Sequence, residues 1–336
     1  MNHVERLNRV LNFEPVDRLP MTESYWWWDK TLARWAREGL PANLLPASEG
    51  MANFNGHAAI RQHFGLDDHR CFWFRPLTLP VPECGPGPVR DMDDYRRLRP
   101  HLFPEQPYDV DRMREWAALQ ARGDAAVWVY FEGFFWFPRV LFGIEEHLYA
   151  FGDQPEVMHV INQDLVDYHL RQLDKLCSIL TPDFLALAED MSYNKGVMIS
   201  KPMFEGFMAP YYRQLTPRLK ERGIIPFLDS DGLIDELVPW MLDVGMEGIH
   251  PLERMAGVDV VALRHRYPTL KMMGGFDKRV MHQGEGVLRA EFERLLPVMK
   301  QGGYLQSVDH QTPPEVSLDD YRLYVRLQHE YARQAV

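Results

Sequence analysis

Five times along this chain a short apolar run ends in ionisable groups just before a helical pattern. Ala186-Leu187-Ala188 runs into Glu189-Asp190, Phe227-Leu228 into Asp229-Ser230-Asp231-Gly232, and Gly248-Ile249-His250-Pro251-Leu252 into Glu253. Met272-Met273-Gly274-Gly275-Phe276 runs into Asp277-Lys278, and Tyr304-Leu305-Gln306-Ser307-Val308 into Asp309-His310. Such runs fit strands buried on both faces, and helices between them return the chain in one direction, which makes a parallel sheet. An open doubly wound sheet gathers its functional residues at one switch point. Here nearly every strand carries them, so the expected fold is α/β, a (β/α)8 TIM barrel with its active site at the C-terminal ends of the strands.

The rest of the chain fits that scheme. Strands are expected at 18–23, 126–131, 184–188, 224–228, 247–252, 270–275 and 303–308. Helices are expected at 3–13, 109–122, 138–150, 154–180, 201–222, 233–245, 256–266, 285–300 and 318–333. Residues 26–70 read as mostly helical and 71–90, rich in Pro and Gly, as a hairpin or irregular insertion. The chain is thus one domain, 1–336, with 26–107 as an N-terminal helical and hairpin insertion.

With 336 residues, 46% of them hydrophobic, it can bury a large core. A formal charge of −11 argues against nucleic acid or an anionic membrane as partner, since both need clustered Lys and Arg. Cys71, Cys84 and Cys177 are too few and too scattered for a disulfide framework or a paired-cysteine zinc site. The start, Met1-Asn2-His3-Val4-Glu5-Arg6, reads as neither signal peptide nor anchor, and a cytoplasmic location is expected. No Gly-x-Gly-x-x-Gly or Gly-x4-Gly-Lys-Ser/Thr phosphate loop occurs.

The strand ends supply the candidate site. A carboxylate of Glu189 or Asp190 facing the apolar cleft would have its pKa raised by desolvation, with Tyr193 close behind. His310 is a candidate acid/base or ligand, and Asp309 beside it points to the opposite face of an extended chain. Asp277 and Lys278 are read as an ion pair at the rim. Aromatic walls are expected from Trp26, after a first strand ending at Glu23, and from Trp136, after Glu132. An acidic rim with aromatic walls suits a neutral or cationic organic substrate.

In order along the chain, Arg9-Val10-Leu11-Asn12-Phe13-Glu14-Pro15, Glu189-Asp190-Met191, Ile199-Ser200-Lys201-Pro202, Asp229-Ser230-Asp231-Gly232, Gly274-Gly275-Phe276-Asp277-Lys278-Arg279 and Asp309-His310-Gln311-Thr312-Pro313-Pro314 resemble the uroporphyrinogen decarboxylase superfamily. The likeness is nearest its corrinoid-linked methyltransferase branch. It implies a barrel with a deep cleft, a homodimer, and methyl transfer between a small substrate and a methylcobalamin-carrying corrinoid protein. The arginine-rich N-terminal signature of the true decarboxylases is missing: the stretch Arg18 to Trp28 carries no such set.

That branch binds zinc through His-x-Cys, a later acidic residue and a last Cys. Carried over, those positions fall on Asp229, Asp231, Glu253 and His310, which keeps the spacing and replaces both thiolates. The set could hold zinc or a harder divalent metal. Alternatively Asp231 caps a helix starting near Leu233 and backbone amides hold Asp229. Asp231, His310, Glu189, Asp190 and Tyr193 are therefore the catalytic candidates. Glu23, Trp26, Glu132, Trp136, Asp277, Lys278 and Asp309 are the substrate-binding ones. A small-carboxylate decarboxylase and a non-catalytic ligand-binding barrel are the competing readings. No Asp-x-His-x-x-Gly cobalamin motif occurs, so a corrinoid would arrive on a separate partner.

Overall fold

The computed structural model describes residues 1–47, 55–77 and 85–336. Strands β1 (His69–Phe74), β2 (Ala126–Glu132) and β3 (Phe184–Ala188) are followed by a small antiparallel hairpin, β4 (Ser192–Tyr193) and β5 (Gly196–Val197). Then come β6 (Ile225–Asp229), β7 (Gly248–His250), β8 (Lys271–Phe276) and β9 (Tyr304–Val308). Apart from the hairpin, the strands form one sheet of seven in the order β1-β2-β3-β6-β7-β8-β9, every pair parallel. The strand-helix alternation read from the apolar runs is the observed one, and the fold is the α/β barrel.

Two strand expectations are corrected. Residues 71–74 do not enter a hairpin: they complete β1, whose His69 to Phe74 register against Ala126 to Phe131. The sequence hides this strand because Arg70 and Cys71 break its apolar run; residues 78–84, and with them Cys84, lie outside the described residues. Residues 18–23 join no ladder. They lie between the sheet edges instead: Met21 O accepts from Asp67 N at 2.7 Å on the β1 side, and Glu23 Oε2 accepts from Val308 N at 3.2 Å on the β9 side. Pro20 has no N–H to give a ladder, so side chains, with Ser24 Oγ 2.9 Å from Ser307 Oγ, bridge the gap.

The first seven helices are α1 (His3–Leu11), α2 (Asp29–Arg37), α3 (Ala58–His63), α4 (Met92–Leu98), α5 (Val110–Arg122), α6 (Trp136–Phe142) and α7 (Ile144–Asp153). They are followed by α8 (Pro155–Cys177), α9 (Lys201–Phe207), α10 (Ala209–Lys220), α11 (Leu237–Asp243), α12 (Val260–Arg266), α13 (Glu285–Met299) and α14 (Leu318–Gln334). The helix expected at 201–222 breaks at Met208, because Pro210 restricts the residue before it and cannot donate into a continuous ladder. Among the described residues no helix is long and apolar enough to cross a membrane.

Alternate residues of each strand point into the barrel, and a stack of rings closes its interior. His69 lies 4.1 Å from Trp128, Trp128 4.8 Å from Phe184, and Phe184 4.8 Å from Phe227. Gly248 makes room for that layer, since a Cβ there would lie 2.5 Å from the Phe227 ring. Two residues further along β6 and β7, on the same inward face, stand Asp229 and His250. The apolar floor therefore ends in polar groups at the carboxyl end.

Candidate active site

Four carboxylates meet where β3, β6 and β7 end. Asp190 takes a left-handed backbone, φ 41°, which directs its Oδ1 to the Asp231 amide at 3.3 Å. Glu253 Oε2 accepts from Gly232 N at 3.1 Å, and its other oxygen faces Lys278 Nζ at 3.4 Å. Leu252 is also left-handed, φ 66°, an unusual state for a bulky side chain and one that turns the chain sharply before Glu253. Gly232 packs so closely on Tyr193 that a Cβ would meet its main chain at 2.6 Å, tying the β4–β5 hairpin to the β6 loop.

Crowding and desolvation raise the three aspartates of this group. Burial, then the charges of Asp190 and Glu253, push Asp231 up to about 8. Burial and the neighbouring Asp190 and Asp231 raise Asp229 well above the ordinary carboxylate range. Burial raises Asp190 as well, with Asp231's amide and Arg139 opposing. His310 is pushed down to about 4 by burial and by Lys278, so it stays neutral. Its Nε2 lies 3.8 Å from Asp231 Oδ2. A carboxyl group with a neutral imidazole beside it can move protons near neutral pH.

Beneath this pair lies a group that sequence reasoning missed. Tyr25 donates to Asp229 Oδ1 at 2.6 Å, and its ring stacks on His310 at 4.5 Å, tilted 19°. His250 Nε2 stands 3.9 Å from the same Asp229 oxygen and 3.5 Å from the Tyr130 hydroxyl. Tyr25 begins the run that continues Trp26-Trp27-Trp28, and its position directly after the barrel-closing segment was the available signal.

The structure brings together Asp190, Asp229, Asp231, Glu253, Lys278 and His310. The other candidates are placed differently. Glu189 is fully buried in a cradle of amides, Phe134 N at 2.8 Å, Phe135 N at 2.7 Å and Trp136 N at 3.1 Å, with the Tyr212 hydroxyl also donating. It fastens the loop after β2, and its oxygens are taken. Glu23, at about 7 through burial, is committed to Val308 N and the Tyr321 hydroxyl. Asp309 accepts from Arg254 N at 2.9 Å and Lys278 N at 3.2 Å, joining the loops after β7 and β8. Asp277 pairs with Arg279 at 2.7 Å and not with Lys278, whose partner is Glu253.

Tyr193 is half-exposed on the hairpin. Trp26 lies half-buried with its ring edge-on to Tyr25 at 5.7 Å. Glu132 is buried at the end of β2, pushed up to about 8 by burial, with Oε2 unpartnered. Trp136 is half-buried, with the Arg139 guanidinium 4.8 Å above its ring.

The four expected metal ligands stand near one another, but their oxygens and imidazole are not gathered around one point. Asp229 is held by Tyr25 inside the barrel, not by amides, and Glu253 by Gly232 and Lys278, which leaves Asp231 and His310. Among the described residues no three His, Cys, Asp or Glu side chains are grouped to hold a metal ion. Asp231 does not cap a helix either, since α11 begins only at Leu237. The acids of the cleft stand just beyond the strand ends of the parallel barrel, and Tyr25 reaches Asp229 from the segment that closes it.

Fold and site together define an α/β-barrel protein with a cluster of buried acids beside a neutral histidine at the carboxyl ends of its strands. The profile described as uroporphyrinogen decarboxylase (URO-D) matches residues 86–331, and the chain belongs to that family of enzymes, whose wider superfamily includes decarboxylases and methyltransferases. Among curated proteins none matches significantly. The chain is similar to a putative vitamin-B12 independent methionine synthase from Listeria monocytogenes, with 10% identity over 96% of this chain and 98% of that one and a TM-score of 0.49. It is also similar to an L-ribulose 3-epimerase, with 11% identity over 80% and 96% and a TM-score of 0.42.

Proposed function

We propose that this protein is a corrinoid-linked methyltransferase, moving a methyl group between a small organic substrate and a methylcobalamin-carrying partner protein. One observation carries the reading: Asp231, pushed up to about 8 at the position where the branch places a zinc ligand, faces neutral His310 at 3.8 Å. A Lewis acid helps methyl transfer by stabilising the heteroatom that loses or gains the methyl group, and a proton can do the same. In the demethylating direction the carbon–heteroatom bond breaks and its electron pair stays on the heteroatom, which takes the Asp231 proton. The methyl group would leave as a cation equivalent, and a reduced corrinoid on the partner would supply the electron pair of the new bond. Tyr25 holds the His310 ring by stacking, and Lys278 offsets the charge left behind.

Decarboxylation of a polycarboxylate is less well supported. Such a substrate needs several free cations, while Arg254 and Arg279 are engaged by Asp259 and Asp277. Decarboxylation of a small acid remains the second reading, since the same Asp231 proton could quench a carbanion. The purified protein, mixed with a corrinoid protein encoded beside its gene and a panel of O-, N- and S-methyl compounds, is expected to change the visible spectrum of the cobalamin. No methyl transfer with any of them, together with carbon dioxide release from a small acid, would replace the first reading by the second.

A further inference from the structure

Arg139, beside Asp190 at this cleft, has its charge only partly offset: the Asp190 carboxylate attracts it from a distance and makes no ion pair with it. It lies at the end of the first turn of α6, half-buried, above the Trp136 ring. Among the described residues its one side-chain hydrogen bond goes from Nη1 to the carbonyl oxygen of Asp190 at 3.2 Å. Among the described residues no carboxylate lies within ion-pair distance of it, and neither Nε nor Nη2 is bonded, although neither is sealed from solvent. Arginine at a protein surface often floats free, but this one is held at both ends: the stack fixes the plane of the fork and the carbonyl fixes one arm. Two N–H groups on a clamped fork suit a planar anion bound by two parallel hydrogen bonds.

Asp190 relates this fork to the acid pair. Its main-chain oxygen sits on Arg139 and its Oδ1 on the Asp231 amide, so fork and proton-holding carboxyl are separated by the reach of a single residue. We propose that Arg139 and Trp136 form an anion subsite that seats the carboxylate of a small substrate, whose heteroatom then lies toward Asp231 and His310. The inference rests on the methyl-transfer reading for the role of that heteroatom, while the carboxylate subsite stands on its own geometry. It also revises the substrate class suggested by the acidic rim: a single carboxylate opposite protonated acids replaces a purely neutral or cationic molecule. One fork serves one carboxylate.

The test is binding, with neither corrinoid nor turnover. Methoxyacetate, benzoate and 4-methoxybenzoate are titrated into the full chain against their uncharged amides, with calorimetry and Trp fluorescence as readouts. At least one acid is expected to bind about tenfold or more tighter than its amide, the size of one lost charge-assisted contact. Arg139→Gln should abolish that preference and Arg139→Lys keep part of it, with thermal melting to verify the fold of each. If no acid outbinds its amide in the wild-type protein, or if Arg139→Gln keeps the preference, the subsite is overturned while the methyl-transfer reading stands. Methyl transfer failing while the acid preference persists would overturn that reading and leave the subsite.

Discussion

Asp231 shows how little of a residue's chemistry lies in its identity. An aspartate in water is ionised at neutral pH; here burial, Asp190 and Glu253 hold its proton to about 8. Asp231→Asn keeps the shape and removes the transferable proton, so turnover should fall about 10²- to 10⁴-fold with little change in substrate affinity, as steady-state kinetics would record. If protonated Asp231 is the working form, wild-type turnover should decline as pH rises through about 8. An activity that rises across that range would assign the work to the ionised form. Tyr25 gives a finer prediction. Tyr25→Phe keeps the ring on His310 but frees Asp229 of its donor, whereas Tyr25→Leu loses the stack as well, so the second should lower kcat further than the first.

At the scale of elements, the buried strands β2, β3, β6, β8 and β9 were legible because their apolar runs end abruptly in charge. Strand β1 was not, since Arg70 and Cys71 interrupt its pattern and only pairing with β2 makes it a strand. The loop after β2 depends on a contact that no local pattern contains: Glu189 from β3 reaches three successive amides of residues 134–136. Gly133 lies so close that an added Cβ would stand 2.0 Å from the Glu189 carboxyl carbon. Gly133→Ala should therefore cost about 1–3 kcal/mol in denaturant unfolding, the scale of overpacking in a filled site. Glu189→Ala should cost at least as much by leaving amides buried and unpaired, and an unchanged midpoint would remove this account of the loop.

At the scale of the whole molecule, the raised acids set a pH dependence. Glu23 and Glu189 titrate at about 7 and Glu132 and Asp231 at about 8 in the folded chain, above their unfolded values near 4. At these four acids the folded state binds more protons between those limits. His57, His69, His147, His169, His250 and His310, held below the usual imidazole value by burial, bind fewer, so the fall in stability shows only above about pH 6.5, where the unfolded histidines are neutral too. The acids' contribution is fully present below their unfolded values and is lost as pH rises through about 7 to 8. Urea unfolding should show the protein more stable at pH 7 than at pH 9, and Glu23→Gln should flatten that slope; a rise from 7 to 9 would contradict the assignment.

The sequence alone determined the barrel class and the end of the barrel that carries the chemistry. Periodicity and abrupt strand ends are local properties, and a parallel sheet follows from them by connectivity. It also placed Asp229, Asp231, Glu253 and His310 near one another. Which acids face the cleft was decided only by tertiary structure. Glu189 and Asp309 stand at strand ends like the others and Glu23 ends the segment between the sheet edges, yet buried amides and hydroxyls from distant elements claim their oxygens. Proton affinity was decided there too, because it depends on the density of neighbouring charge and the loss of water, quantities that exist only once β3, β6 and β7 lie side by side.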